Sequence, residues 1–120
     1  MTMDATSFEL NLSLPADSRF APAVRDLAVH AARYAGCRGG DADAFGLAVE
    51  AVMLGCVNGF SSGAAVPIVV RRVNGPIEVL IACDHRFEAV SARDAHIRID
   101  WTRDRGRDVC RISRIMPAET

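Results

Sequence analysis

Hydrophobic and polar residues alternate over positions 7–14. Phe8, Leu10, Leu12 and Leu14 share one side; Ser7, Glu9, Asn11 and Ser13 share the other. A period of two is that of a half-buried strand. The period then lengthens. Over 19–35, Phe20, Val24, Leu27, Ala28, Ala31, Tyr34 and Ala35 recur at helical spacing, with Arg25, Asp26, His30 and Arg33 off that stripe. Asp17 or Ser18 supplies an N-cap, Pro22 falls in the first turn where it is tolerated, and Gly36 stops the helix. A second helix is predicted over about 42–59, with Asp41 or Asp43 as its cap. It is apolar nearly all round, so it is expected to be sandwiched between other elements. "SSG" at 61–63 breaks it.

The period then returns to two. "AVPIVVRRV" and "PIEVLIACD" flank Asn74-Gly75, a two-residue hairpin signal. Pro67 places the first of these strands at its start or at a sheet edge. Residues 85–95 read as a loop or an irregular turn. "HIRIDWT" (96–102) alternates with Ile97, Ile99 and Trp101 inward. "RDRGRD" turns around Gly106, and "VCRISRIM" (109–116) is the last strand, before a frayed "PAET". The order is strand, helix, helix, then four strands in meander style. That segregation predicts an α+β fold, a two-layer α/β sandwich whose mostly antiparallel sheet carries helices on one face. One domain is expected over 1–120, with an ordered core over 7–116.

Composition narrows the function classes. Half of the 120 residues are hydrophobic, 24% are charged and the net charge is −1. No nucleic acid and no anionic membrane is expected as a partner on charge grounds. No apolar run is long enough to span a bilayer, and the N-terminus lacks the basic and apolar regions of a signal peptide, so a cytoplasmic location is expected. All fourteen basic residues are Arg, which leaves no lysine for phosphate binding or Schiff-base chemistry. Cys37, Cys56, Cys83 and Cys110 form no close pair of the kind zinc sites use and are read as buried, inert thiols.

Three phrases carry a resemblance. "FELNLSLPADSRFAPAVRDLAVHAARYAG", "DADAFGLAVEAV" and "GPIEVLIACD" resemble, in order and spacing, the anti-sigma factor serine kinases, small members of the Bergerat-fold, histidine-kinase-like ATPases. The resemblance covers about residues 7–84. It implies the ATPase fold and, in active members, binding of ATP and Mg²⁺ and phosphorylation of a partner's serine. In those members the second helix carries a base Glu, a Mg²⁺-binding Asn four residues on, and usually a His four further. Spacing of four puts such groups on one helix face, and Mg²⁺ takes oxygen ligands in tight geometry. Aligned on Leu47-Ala48-Val49-Glu50, those positions here are Ala51, Gly55 and Gly59. Glu50 and Asn58 do not rescue the site, because eight residues put ~12 Å of helix between them.

The family's Asp-x-Gly-x-Gly-Phe loop reads Asp84-His85-Arg86-Phe87, with both glycines missing. Asp84 and Phe87 would carry any nucleotide contact that is retained, and the His85-Arg86 pair is expected to fill the pocket. "EAVSARDAH" (88–96) has no glycine and no room for the family's ATP lid. The resemblance therefore implies the ATPase fold lacking its lid, no catalytic residue, no metal and no cofactor. The expected function is non-catalytic regulation by binding a sigma factor or an anti-anti-sigma protein, with room for a homodimer. A divergent ATP- and Mg²⁺-binding kinase built around Asp84, or a small-ligand module in the vacated pocket, are the alternatives.

Other candidates have plainer readings. Glu50 is a displaced acid or an exposed carboxylate on a packed helix. Cys83-Asp84-His85 are adjacent metal-ligand types on a strand whose side chains alternate. His30 and His96 are surface residues. Arg103, Arg105, Arg107, Arg111 and Arg114, interleaved with Asp104 and Asp108, form either a solvated edge or a docking surface for an acidic partner.

Overall fold

The N-terminal alternation becomes strand β1, Phe8–Pro15, in a computed structural model that describes residues 7–58, 64–72, 75–84, 86–87 and 96–115. Readings made for residues 1–6, the 61–63 break, Asn74, His85, 88–95 and the tail from 116 fall outside those residues, as does Gly59. Asp17 does cap, but it caps a short 3-10 turn over Ser18–Phe20: its carboxylate accepts from the Arg19 backbone N–H at 2.9 Å. Helix α1 follows as Ala21–Tyr34, starting two residues later than expected. Pro22 sits in its first turn, where its missing N–H has no helical partner to lose. The helix stops at Gly36. The Gly36 N–H donates to the Arg33 carbonyl and the Cys37 N–H to the Ala32 carbonyl, which satisfies two orphaned helix carbonyls.

Helix α2, Gly39–Val57, starts three residues before the predicted boundary, and neither Asp41 nor Asp43 is its cap. Asp41 lies inside the first turn, beside the positive end of the helix dipole. Its carboxylate meets the guanidinium of Arg114 at 3.3 Å, and the Arg114 side chain is almost fully buried. This pair ties the start of α2 to the far end of the sheet.

The strands are β2 (Ala65–Arg72), β3 (Ile77–Cys83), β4 (Ile97–Asp104) and β5 (Arg107–Arg114). All pairings are antiparallel, in the order β1-β2-β3-β5-β4. The predicted meander is corrected here. After β3 the chain passes to the outer edge, and β5 returns to fill the gap between β3 and β4. The β4–β5 hairpin closes with Arg105 and Gly106, both at positive φ (52° and 80°), a two-residue turn that suits the strand twist. Consequently β5 is interior and β4 is the edge. Pro67 needs no edge strand. The β2–β3 ladder runs from Ile68 to Arg71, so Pro67 lies just beyond it and pairs only with β1.

The inner face of the sheet presents Val66, Ile68 and Val70, then Ile77, Val79 and Ile81, then Cys110 and Ile112. Against them pack Phe45, Val49, Val52, Met53 and Cys56 of α2, all at most 2% exposed. Helix α1 packs beside α2 and turns an alanine-rich face, Ala21, Ala28, Ala31 and Ala32 with Val24, into the core. Tyr34, expected inward, is 61% exposed, and the inward positions are taken by smaller side chains. Nor is α2 sandwiched: Leu47 and Leu54, one above the other at i and i+7, are exposed on its outer crest. No described helix is long and apolar enough to cross a membrane.

The helices touch where Gly46 faces α1. A Cβ at 46 would stand 2.4 Å from Val29 Cγ2 and 3.1 Å from the Arg25 carbonyl oxygen. Gly46→Val should therefore destabilise the fold by about 1–3 kcal/mol, the range for overpacking a close contact, despite the better helix propensity of valine. A urea-unfolding midpoint equal to or above wild type would contradict that packing.

Candidate functional site

With 3.6 residues per turn, α2 has three working faces. The core face carries Phe45, Val49, Val52, Met53 and Cys56. One flank, toward α1, carries Gly46 and Glu50. The opposite flank carries Ala51 and Gly55, two of the three positions that the resemblance singles out.

On the α1 flank, both Glu50 carboxylate oxygens lie 3.3 Å from Arg25 Nη1, and the Glu50 side chain is only 18% exposed. Glu50 is thus neither a free acid nor the exposed carboxylate of the plainer reading. It is an interhelical ion pair beside the close approach at Gly46. Asn58 is exposed at the end of α2, two turns away.

On the other flank, the ring of Phe87 lies directly over Gly55. A Cβ at 55 would fall 2.4 Å from Phe87 Cε2 and under 3 Å from two further ring atoms. The same ring meets Trp101 of β4 edge to face, with centroids 5.1 Å apart and planes at 89°. An asparagine side chain at 55 would need the volume that this ring fills. The sequence expected His85 and Arg86 to fill the pocket. His85 lies outside the described residues, Arg86 is exposed and donates to Asp108 at 3.3 Å, and the group over Gly55 is Phe87. Phe87 was singled out only as a retained nucleotide contact. The missing glycines around it were the available signal for an ordinary packed aromatic.

Asp84 ends β3 in an exposed position and accepts from Arg107 Nη2 at 3.4 Å. The structure brings it near the β4–β5 turn, and Asp84 and Phe87 part company: one carboxylate faces solvent and an arginine, one ring faces α2. The arginine run also divides. Arg103 and Arg86 share Asp108, Arg107 takes Asp84, and Arg111 lies 3.0 Å from Asp100 and 3.7 Å from Glu78. Arg114 points inward to Asp41. A solvated edge describes Arg103 and Arg105, which are exposed at the end of the edge strand β4 and in the turn after it, but not Arg107 and Arg111, half-buried on the interior strand β5, nor the buried Arg114. Arg103, Arg107, Arg111 and Arg114 each meet a carboxylate, most of them from other elements, which offsets part of their pull on an acidic partner. His30 and His96 are exposed, as expected.

All four cysteines are buried thiols, none of them in a disulfide. Cys83 is buried while Asp84 is exposed, as strand alternation requires, and among the described residues no group of three His, Cys, Asp or Glu could hold a metal. Cys56 of α2 lies over β3, its thiol 3.6 Å from the Ala82 carbonyl oxygen. A hydrogen bond with Cys83, then burial, holds the Cys56 thiol far above its ordinary value. Burial, then the proximity of Cys83, pushes Cys110 up to about 12. Burial raises Cys37 as well. In Cys37, Cys56 and Cys110 the surroundings thus favour the protonated thiol over the thiolate.

A scan against protein-family models finds no match, and a search of curated proteins returns no significant relative.

Two outcomes follow from this geometry. Gly55→Ala gains about 1 kcal/mol of helix propensity but forces the Phe87 ring aside, at about 1–3 kcal/mol. It should be neutral to destabilising and should shift the emission of Trp101, the single tryptophan. In a Phe87→Ala background the same change should become stabilising. A double-mutant cycle by urea unfolding with no such sign reversal would show that the ring is not on Gly55. Separately, a thiol whose folded pKa is raised binds its proton more tightly in the native state. That stability is complete below the ordinary value of 9.0 and is lost as pH rises toward about 12. Melting temperature should fall over that window, and more shallowly in Cys110→Ala.

Proposed function

We propose that this chain is a non-catalytic regulatory protein that acts by binding another protein in a sigma-factor/anti-sigma pathway of the cytoplasm. On this reading its scaffold is the histidine-kinase-like ATPase fold without the lid. The observation that carries the proposal is the flank of α2 bearing Ala51 and Gly55. Where the resemblance implies a base and a magnesium ligand, the chain has a methyl group and a glycine covered by the ring of Phe87. The α+β architecture, with one antiparallel sheet under two helices, is compatible with that scaffold. The three phrases that carry the resemblance fall on β1–α1, α2 and β3. Asp84 adds little to a nucleotide site, because its carboxylate already accepts from Arg107.

The partner under this reading is a sigma factor or an anti-anti-sigma protein, and no catalytic step is assigned to any residue. Titration calorimetry separates the reading from a divergent kinase. With ATP and Mg²⁺ up to about 1 mM, no binding heat and no shift in melting temperature are expected. A candidate sigma factor or antagonist in tenfold excess should form a complex stable to gel filtration. Micromolar ATP binding, or no complex with either class of protein, would remove the proposal.

A further inference from the structure

Helix α2 is apolar on almost every side, yet nothing among the described residues covers its outer crest. Ala44, Leu47, Ala51, Leu54 and, just past the helix end, Asn58 follow one another at intervals of three, four, three and four residues. None of them is buried: Leu47 is 57% exposed and Leu54 40%. A crest that faces only water is ordinarily polar. Intervals of three and four average 3.5 residues, the repeat at which one helix meets another along a seam. An extended segment presents every second residue and does not match that repeat.

The relief of the crest fits a helix as well. Its two leucines stand about 10 Å apart along the axis. Large and small residues alternate, so Ala44 and Ala51 leave hollows for the side chains of a facing helix. The two walls differ in charge. On the α1 side runs an open groove of about 390 Å³, lined by Arg25, Asp26, Val29, His30, Arg33 and Asp43, with Leu47 at its α2 margin. Arg33 meets Asp43 at 3.4 Å, and Arg25 lies 3.6 Å from Asp26 and 3.3 Å from Glu50. Two guanidinium groups thus face three carboxylates, and this wall carries a surplus negative charge. Asp26 and Asp43, its outermost acids, are largely exposed. The opposite wall, Ala48 and Gly55 with the Phe87 ring over it, is uncharged.

We propose that the crest of α2 is a docking seam for an amphipathic helix of another protein, one with apolar residues at heptad spacing and basic residues on the side that lies over α1. Charge separates this occupant from the others. In an antiparallel pair of copies the two acidic walls would coincide, and in a parallel pair each would meet only the uncharged wall. A basic helix answers the charge that a second copy leaves unanswered. An anionic membrane surface is disfavoured for the same reason, since the helices that bind one carry lysine and arginine beside their apolar face. The sigma-factor reading names a partner but no surface. The seam specifies a surface, and it stands whether or not that reading holds.

The probe is a labelled synthetic helix of three heptads, with leucine at its a and d positions and lysine beside them, titrated with the full chain by fluorescence anisotropy. It should bind with a Kd of roughly 100 µM or below, and a version with glutamate for lysine should bind about tenfold more weakly. A peptide of the same composition with the repeat broken should not bind. Leu47→Gln with Leu54→Gln, at exposed positions, should weaken binding about tenfold or more and leave the circular dichroism unchanged. The lysine–glutamate comparison uses the wild-type chain and so does not depend on how that variant folds. The double variant should also weaken any complex with a sigma factor or its antagonist. A complex that it leaves intact overturns the seam and spares the regulatory reading. Peptide binding at the seam with no such complex supports the seam and removes that reading. The proposal is also overturned by equal binding of the broken-repeat peptide, or by self-association of the wild-type chain that the double variant abolishes, which would give the seam to a second copy.

Discussion

The burial of one face of α2 on the sheet is the contact on which the rest of the molecule depends. Phe45, Val49, Val52, Met53 and Cys56 supply the helix side of the core, and the inner rows of β2, β3 and β5 supply the other. Burying side chains of that size contributes about 1.5–3 kcal/mol each. Helix α1 is secondary. It reaches the core with alanines and one valine, and it can lie so close to α2 only because position 46 has no side chain. The Arg25–Glu50 pair then fixes the two helices laterally, and Arg114–Asp41 fixes the start of α2 to the end of β5. Both pairs sit where a helix meets a neighbour, and both hold geometry rather than supply much stability, since each includes a partly solvated partner.

The periodicities made the main elements legible. A period of two marked β1 and the later strands, and a helical period marked α1. The hairpin between β2 and β3 was legible from Asn74-Gly75, and its register, with Arg71 opposite Glu78, is centred between those two positions. Strand order was not legible. A meander and the observed β3-β5-β4 arrangement have the same local patterns. They differ only in what the connection after Asp84 does, and residues 85–95 carry no periodic signal. Helix starts were misplaced for a related reason. Asp17, Asp41 and Asp43 are all good caps by type, but capping preference says which residue would serve, not where tertiary contacts begin the helix. Asp41 had a competing partner, the buried Arg114, which lies far away in sequence.

The same limit applied to the site. The five arginines in 103–114 look alike along the chain, yet strand alternation sends Arg111 to the outer face and Arg114 into the interior. Their acidic partners come from β3, β4, α2 and the end of β3, so the neutralisation of the run is a property of the sheet order. Phe87 was legible as an aromatic where a glycine-rich loop was expected. That its ring would rest on Gly55 required knowing that β4 places Trp101 behind it.

The three faces of α2 are under different constraints. The phrase Leu47-Ala48-Val49-Glu50 and the residues that follow contain Val49, Val52, Met53 and Cys56, which bind the helix to the sheet, and Glu50, which binds it to α1. Ala51 and Gly55 lie on the remaining flank and touch neither. Substitutions there leave the core intact, so they are free of the constraint that keeps the packing face apolar. Once position 55 lacks a side chain, the exposed flank gains by accepting an aromatic ring, and that ring in turn requires position 55 to stay small. The packing of this helix is thus carried by two of its faces, and the third can change at positions 51 and 55 without disturbing them.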